Sequence, residues 1–209
     1  MKYSKIVSMG LLLLLAGAFV IGVSGGKAQA ASITGSAHDL HAVSGYGTDQ
    51  ICIFCHTPHN ASTTLAVPLW NHGVTVASYT IYASSSLNAT VGQPGPVSKA
   101  CLSCHDGTVA VDTYGTRTGT HTMTGNAMVG TDLSNDHPVG FTYDSALATA
   151  DGGLATPASA AYVDGAHTVP LYGATLECGS CHNVHDNANA PFLRKANAAS
   201  ALCLTCHTK

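Results

Sequence analysis

The stretch ICIFCHTPHN, Ile51 to Asn60, sets two cysteines and a histidine in the order C-x-x-C-H and adds a second histidine, His59, three residues later. The order recurs along the chain. All eight cysteines fall into four copies: Cys52-Cys55-His56, Cys101-Cys104-His105, Cys178-Cys181-His182 and Cys203-Cys206-His207. C-x-x-C-H is the attachment signature of c-type haem, in which two thiols add to the porphyrin vinyl groups and the adjacent histidine binds iron. A single C-x-x-C also suits a zinc ribbon or a thioredoxin-like redox site. Four copies, each followed by histidine and with no thiol left for a disulfide, imply four covalently attached haem c groups.

The segments around the motifs bound the rest. Lys2 and Lys5, an apolar run from Met9 to Val23 and the A-x-A of Ala28 to Ala30 read as a signal peptide over residues 1–30. The run of fifteen residues is shorter than the roughly 20 that a spanning helix needs, which favours cleavage and export over a membrane anchor. Residues 31–209 then form the tetrahaem domain, with five basic against eleven acidic residues. No cluster of Lys and Arg suggests nucleic acid as a partner. Leu, Ile, Val and Phe supply 33 of these 179 residues, a small share for a chain that must bury a core. The macrocycles are expected to supply the missing apolar mass, and the apoprotein to be largely unfolded.

Each iron also needs a sixth ligand. Beyond residue 30 the chain has only Met123 and Met128, against eight histidines outside the motifs: His38, His41, His59, His72, His121, His137, His167 and His185. Bis-histidine ligation throughout is the economical reading, and it places the potentials on the low side. Iron closed on both faces leaves no substrate position, which argues for electron transfer over a multihaem reductase. His59 and His185, in CHTPH and CHNVH, lie too close to their own proximal histidines to reach around the same macrocycle, so each is expected to serve a second haem. Pro58 disfavours helical geometry at Thr57 while His182-Asn183-Val184 has no such break, so the two copies are expected to share reach rather than backbone shape. His137 is held extended by Pro138 and is a third candidate. His38 is preferred over His41 as the fourth, because an iron bond would tie down the N-terminal segment. His72, after Trp70, is the reserve, and His121 and His167 read as exposed loop residues. The ring nitrogen not bound to iron should donate to a carbonyl or carboxylate.

The motif starts lie 49, 77 and 25 residues apart, so there is no regular repeat array. The expected fold is a haem-centred multihaem cytochrome c: mostly irregular coil, short α-helices at the C-x-x-C-H motifs and little β. Ser98 is expected to cap a helix through VSKACLSCH ending at Asp106-Gly107, and Asn197 one through AASALCLTCH. Residues 75–83 read weakly as strand. The Ala/Thr/Gly-rich DSALATADGGLATPASAA reads as a surface excursion.

SAHDLH, CIFCHTPHNA, VPLWNH, PVSKACLSCHDGTVAVD, LSNDHPVGFTYD, LECGSCHNVHD and PFLRKANAASALCLTCHTK together resemble the small tetrahaem outer-surface cytochromes of metal-reducing bacteria. That resemblance implies bis-histidine haems stacked in a continuous chain, with distal ligands at His38, His59, His137 and His185. It further implies extracellular filaments in which one distal histidine comes from a neighbouring subunit, with an N-terminal histidine, His38 or His41, as the first candidate. Redox proteins or extracellular metal oxides would be the partners. A soluble periplasmic tetrahaem shuttle is the competing expectation.

Overall fold

Regular hydrogen bonding comes in short pieces in the computed structural model, which describes residues 32–42 and 45–209. The expected signal peptide lies outside the described residues. The longest helix, α1 (Pro96–His105), carries the second motif. Pro96 occupies its first turn, where a fixed φ and a missing N–H cost nothing, and the Asp106 N–H closes on the Leu102 carbonyl at 2.9 Å. Gly107 then turns away at φ +76°, so the end is where it was expected. The start is not: Ser98 is no cap but lies fully buried inside the first turn. Pro96 sets the boundary, and the Ser98 hydroxyl is used elsewhere.

Residues 144–152 correct a second expectation. They form a helix, α2 (Ser145–Asp151), rather than a surface excursion. Asp144 accepts the Leu147 N–H at 2.8 Å as N-cap, and Gly152 ends the helix in the left-handed region at φ +65°. Both ends thus carry the residue types that favour a stop and a start. A third helix, α3 (Cys178–Cys181), is a single turn inside the third motif. At the C-terminus the expected helix is replaced by two 3₁₀ turns, Ala198–Ser200 and Cys203–Thr205. There the Asn197 side chain accepts the Leu202 N–H at 3.1 Å.

Strand structure is a two-residue ladder, β1 (Phe141–Thr142) antiparallel to β2 (Thr175–Leu176), in register Phe141 with Leu176. Residues 75–83 are extended without forming a strand. Thr75 and Tyr79 are buried and Val76 exposed, as a half-buried strand requires, but backbone pairing amounts to a single bridge at Thr80, whose N–H donates to the Thr131 carbonyl at 3.0 Å and whose carbonyl accepts the Leu133 N–H at 2.8 Å. Gln93 takes both backbone groups of Tyr79, accepting its N–H and donating to its carbonyl, each at 2.9 Å.

Side chains do build a core, despite the low apolar count. Phe141, Tyr143, Leu147, Val163, Val169, Leu171 and Leu176 form one buried cluster, so β1, β2 and α2 converge on it. Two smaller clusters, Leu65–Trp70–Ala100 and Tyr79–Leu102–Leu133, lie against the first two motifs. The helices that pack on one another are α1 and α3, the bearers of motifs two and three.

Candidate haem-binding sites

Three of the four motifs are held by the same backbone clasp. In motif one the Thr57 N–H donates to the Leu69 carbonyl at 2.9 Å, the Asn71 N–H donates to the Cys55 carbonyl at 2.9 Å, and His56 pairs with Trp70 between them. Motif three repeats this: Asn183 donates to Phe192 at 2.7 Å, Arg194 donates to Cys181 at 2.9 Å, and His182 pairs with Leu193. In motif four Thr208 donates to Gly153 at 2.9 Å, Ala155 donates to Cys206 at 2.7 Å, and His207 pairs with Leu154. The clasping segment follows motifs one and three but precedes motif four. Motif two instead rides on α1, with Val129 and Gly130 donating to the His105 carbonyl at 2.7 and 3.1 Å.

Motifs one and three match further. Their clasps run Pro68-Leu69-Trp70-Asn71 and Pro191-Phe192-Leu193-Arg194, and Leu69 and Phe192 both take positive φ, +54° and +59°. CHTPH and CHNVH therefore share the clasp at the motif histidine, while the backbone beyond it differs, as expected from Pro58. The Asp186 N–H closes a turn on the Asn183 carbonyl at 3.0 Å, and the segment after Thr57 makes no such turn.

The imidazoles are oriented for a metal. His56 Nδ1 lies 2.9 Å from the Pro68 carbonyl, His105 Nδ1 2.7 Å from that of Ala127, and His182 Nδ1 3.0 Å from that of Pro191. A carbonyl can only accept, so the proton sits on Nδ1 and Nε2 is left as the ligating nitrogen. His137 makes the same contact, at 3.0 Å, with the Pro138 carbonyl. The partners that residue order could not name are thus backbone carbonyls.

Three motif histidines each face a second histidine. Ring centroids are 6.1 Å apart for His56 and His185, 6.0 Å for His105 and His38, and 6.3 Å for His207 and His137. Two imidazoles on opposite sides of one metal ion, each bonded at about 2 Å, would hold their centroids roughly 6 Å apart. The residues present therefore fit an iron between each pair. His38 packs edge-on against Phe192 at 4.5 Å. Burial, then the neighbouring His105, lowers its pKa to about 4, so the ring is neutral, as ligation requires. His182 has no such partner among the described residues, and His59, on the surface, faces no ring there.

None of the eight cysteines is paired in a disulfide, and the thiols that act on one another follow chain order. Burial and then Cys55 of motif one raise Cys104 of motif two, Cys101 of motif two and Cys178 of motif three act on each other, and burial and then Cys181 of motif three raise Cys206 of motif four. Burial pushes the Cys55 thiol up to about 11 and that of Cys104 to about 12. The neighbouring Cys101 thiol lowers that of Cys178 and is itself raised.

The remaining histidines fall to other tasks. His41 pairs with Asp39. His72 is buried, with Nε2 3.2 Å from Cys104 Sγ and its ring 6.1 Å from that of Trp70, so it borders a haem attachment point. His167 stacks on Tyr162 at 4.3 Å. His121 is more than a loop residue. Its Nδ1 lies 3.1 Å from Asp112 Oδ2, which also accepts from Arg117 at 3.1 Å, while Asp112 Oδ1 accepts the N–H groups of Thr120 and His121 at 2.9 Å each. Burial would raise the Asp112 pKa, but these donors outweigh it and hold the carboxyl far below the usual range. Arg117 also donates to the Gly45 carbonyl at 3.0 Å, tying the N-terminal segment to this loop.

Attachment motifs with no cysteine in a disulfide, and imidazoles that face one another, define the class: a multihaem c-type cytochrome, whose business is electron transfer. Residues 173–209, which hold motifs three and four, match the protein family described as Doubled CXXCH motif. No curated protein matches the chain.

Proposed function

We propose that the chain carries four haem c groups, each with two histidine ligands, and polymerises into extracellular filaments that conduct electrons to acceptors outside the cell. The thiol pairs at 52/55, 101/104, 178/181 and 203/206 would hold the four macrocycles, with His56, His105, His182 and His207 as proximal ligands. His185, His38 and His137 would complete three irons within one chain. When bound, the haems supply reversible one-electron chemistry. The protein's own residues would fix the order of the sites, orient the Nε2 atoms of His56, His105, His182 and His137 through their Nδ1 contacts, and leave no iron face for a substrate. That closure argues against an enzyme.

The observation that carries the reading is the unmatched pair, His182 and His59. His185, three residues after the motif-three histidine, faces the motif-one histidine of the same chain. His59, three residues after the motif-one histidine and on the same clasp, then serves the motif-three haem of a neighbouring chain. His38 faces His105 of its own chain at 6.0 Å, which supports giving the bridging role to His59 rather than to an N-terminal histidine. Each subunit thus borrows one ligand and lends one, which continues without limit as a heterologous contact.

Electron microscopy of the shed extracellular fraction tests this, paired with intact mass. Long filaments built from a subunit with four haem increments are expected. A monodisperse periplasmic monomer with all four haems would overturn the polymer and favour the soluble shuttle.

A further inference from the structure

Glu177 is the only glutamate in the chain, and the electron-transfer reading above gives it no role. It immediately precedes Cys178 and is 2% exposed. Its Oε2 accepts the Ser98 N–H at 3.2 Å and the Ser98 hydroxyl as well. That same Ser98 oxygen accepts the Cys178 N–H at 2.9 Å, and the Glu177 N–H donates to Ser180 Oγ at 3.0 Å. Gly95 makes room, since a Cβ there would overlap the carboxylate. These bonds join α1 to α3 and so hold motif two against motif three.

The carboxylate's side-chain partners are neutral. Among the described residues no Lys, Arg or His forms an ion pair with it, in contrast to Asp112, which has Arg117. A buried carboxylate without a cation is costly even when hydrogen-bonded. From this placement we infer that Glu177 is an ionised carboxylate whose counter-charge comes from the oxidised haems on motifs two and three, and that it lowers the reduction potentials of those two haems. The inference rests on the tetrahaem reading. Ferric haem carries one positive charge more than ferrous, so a fixed negative charge in a low-dielectric site favours the oxidised form. One electron is exchanged, and Glu177 neither gains nor loses a proton. Ser98 is the positioning residue that keeps the charge between the two motifs.

Spectroelectrochemical titration of the full holoprotein tests this. Glu177→Gln keeps the shape and removes the charge, so two of the four midpoints should rise while the other two stay. Ser98→Ala keeps the charge, so it should lower the melting temperature with no upward shift. Unchanged midpoints in Glu177→Gln, equal shifts in all four, or the same upward shift in both variants would overturn the inference. Infrared spectroscopy adds a second readout, in which the Glu177 band is identified by its loss in Glu177→Gln. The redox-difference infrared spectrum of the wild type should show a carboxylate band that moves on reduction. A carboxylic-acid band, or a carboxylate band indifferent to redox state, would overturn the inference. Fewer than four haem increments in the wild-type mass would fail the tetrahaem reading instead.

Discussion

Single residues in this chain divide into those that face a cofactor and those that hold the coil in place, and the two kinds should fail differently. Replacing His59 with alanine should leave four covalent haems in the intact mass, abolish filaments, and give a high-spin signal from the haem on Cys178 and Cys181. Retention of filaments by that variant would count against the bridging role. Asp112 belongs to the second kind. Its folded pKa is depressed, so its stabilisation is fully present above the ordinary carboxylate value of about 4 and is lost as pH falls through the folded value. Acid titration of the holoprotein should therefore show a loss of thermal stability below about pH 4 that Asp112→Asn weakens. Asp112→Asn should also lower the melting temperature at neutral pH, because the Arg117 and His121 donors lose their anion.

At the scale of elements, the shared clasp explains why so little secondary structure suffices. Each clasp satisfies the backbone on both sides of a motif histidine with two hydrogen bonds, which a helix or sheet would otherwise supply. Leu69 and Phe192 occupy the same clasp position with different burial, 53% and 8% exposed. Leu69→Gly should change stability by less than about 1 kcal/mol, since relief of the left-handed backbone offsets a small loss of burial. Phe192→Gly should cost at least the roughly 3–5 kcal/mol typical of Phe→Ala, with loss of the His38 contact visible as a changed spin state at the haem of motif two. Helix α2 offers a plain cap test: Asp144→Ala removes the bond to the Leu147 N–H and should cost about 0.5–2 kcal/mol in thermal unfolding. Residue order did not reveal the clasps, because Pro68 lies twelve residues beyond His56 whereas Pro191 lies nine beyond His182, and the segment clasping motif four lies upstream. The α2 signals, Asp144 before and Gly152 after, were present in the sequence. They were outweighed by the Ala/Thr/Gly-rich character of the longer stretch around a helix of only seven residues.

The molecule as a whole was legible where chemistry is local and opaque where it is not. Two thiols and a histidine within five residues announce a haem site by themselves, and the scarcity of apolar residues announces irregular coil. The pairing of His56 with His185, separated by 129 residues in the chain, depends on how the coil returns on itself. Glu177 was equally hidden, since its partner Ser98 lies 79 residues away. In the proposed tetrahaem protein, the thiols of successive motifs, which act on one another in chain order, would line up the sites in that order and give an entering electron a continuous path. That path becomes unbounded only if chains share a ligand. Cryo-electron microscopy of the native assembly addresses this most directly, by showing which side chain lies opposite His182. The account predicts His59 of the neighbouring subunit. A histidine of the same chain in that position, with His59 free at the surface, would contradict it.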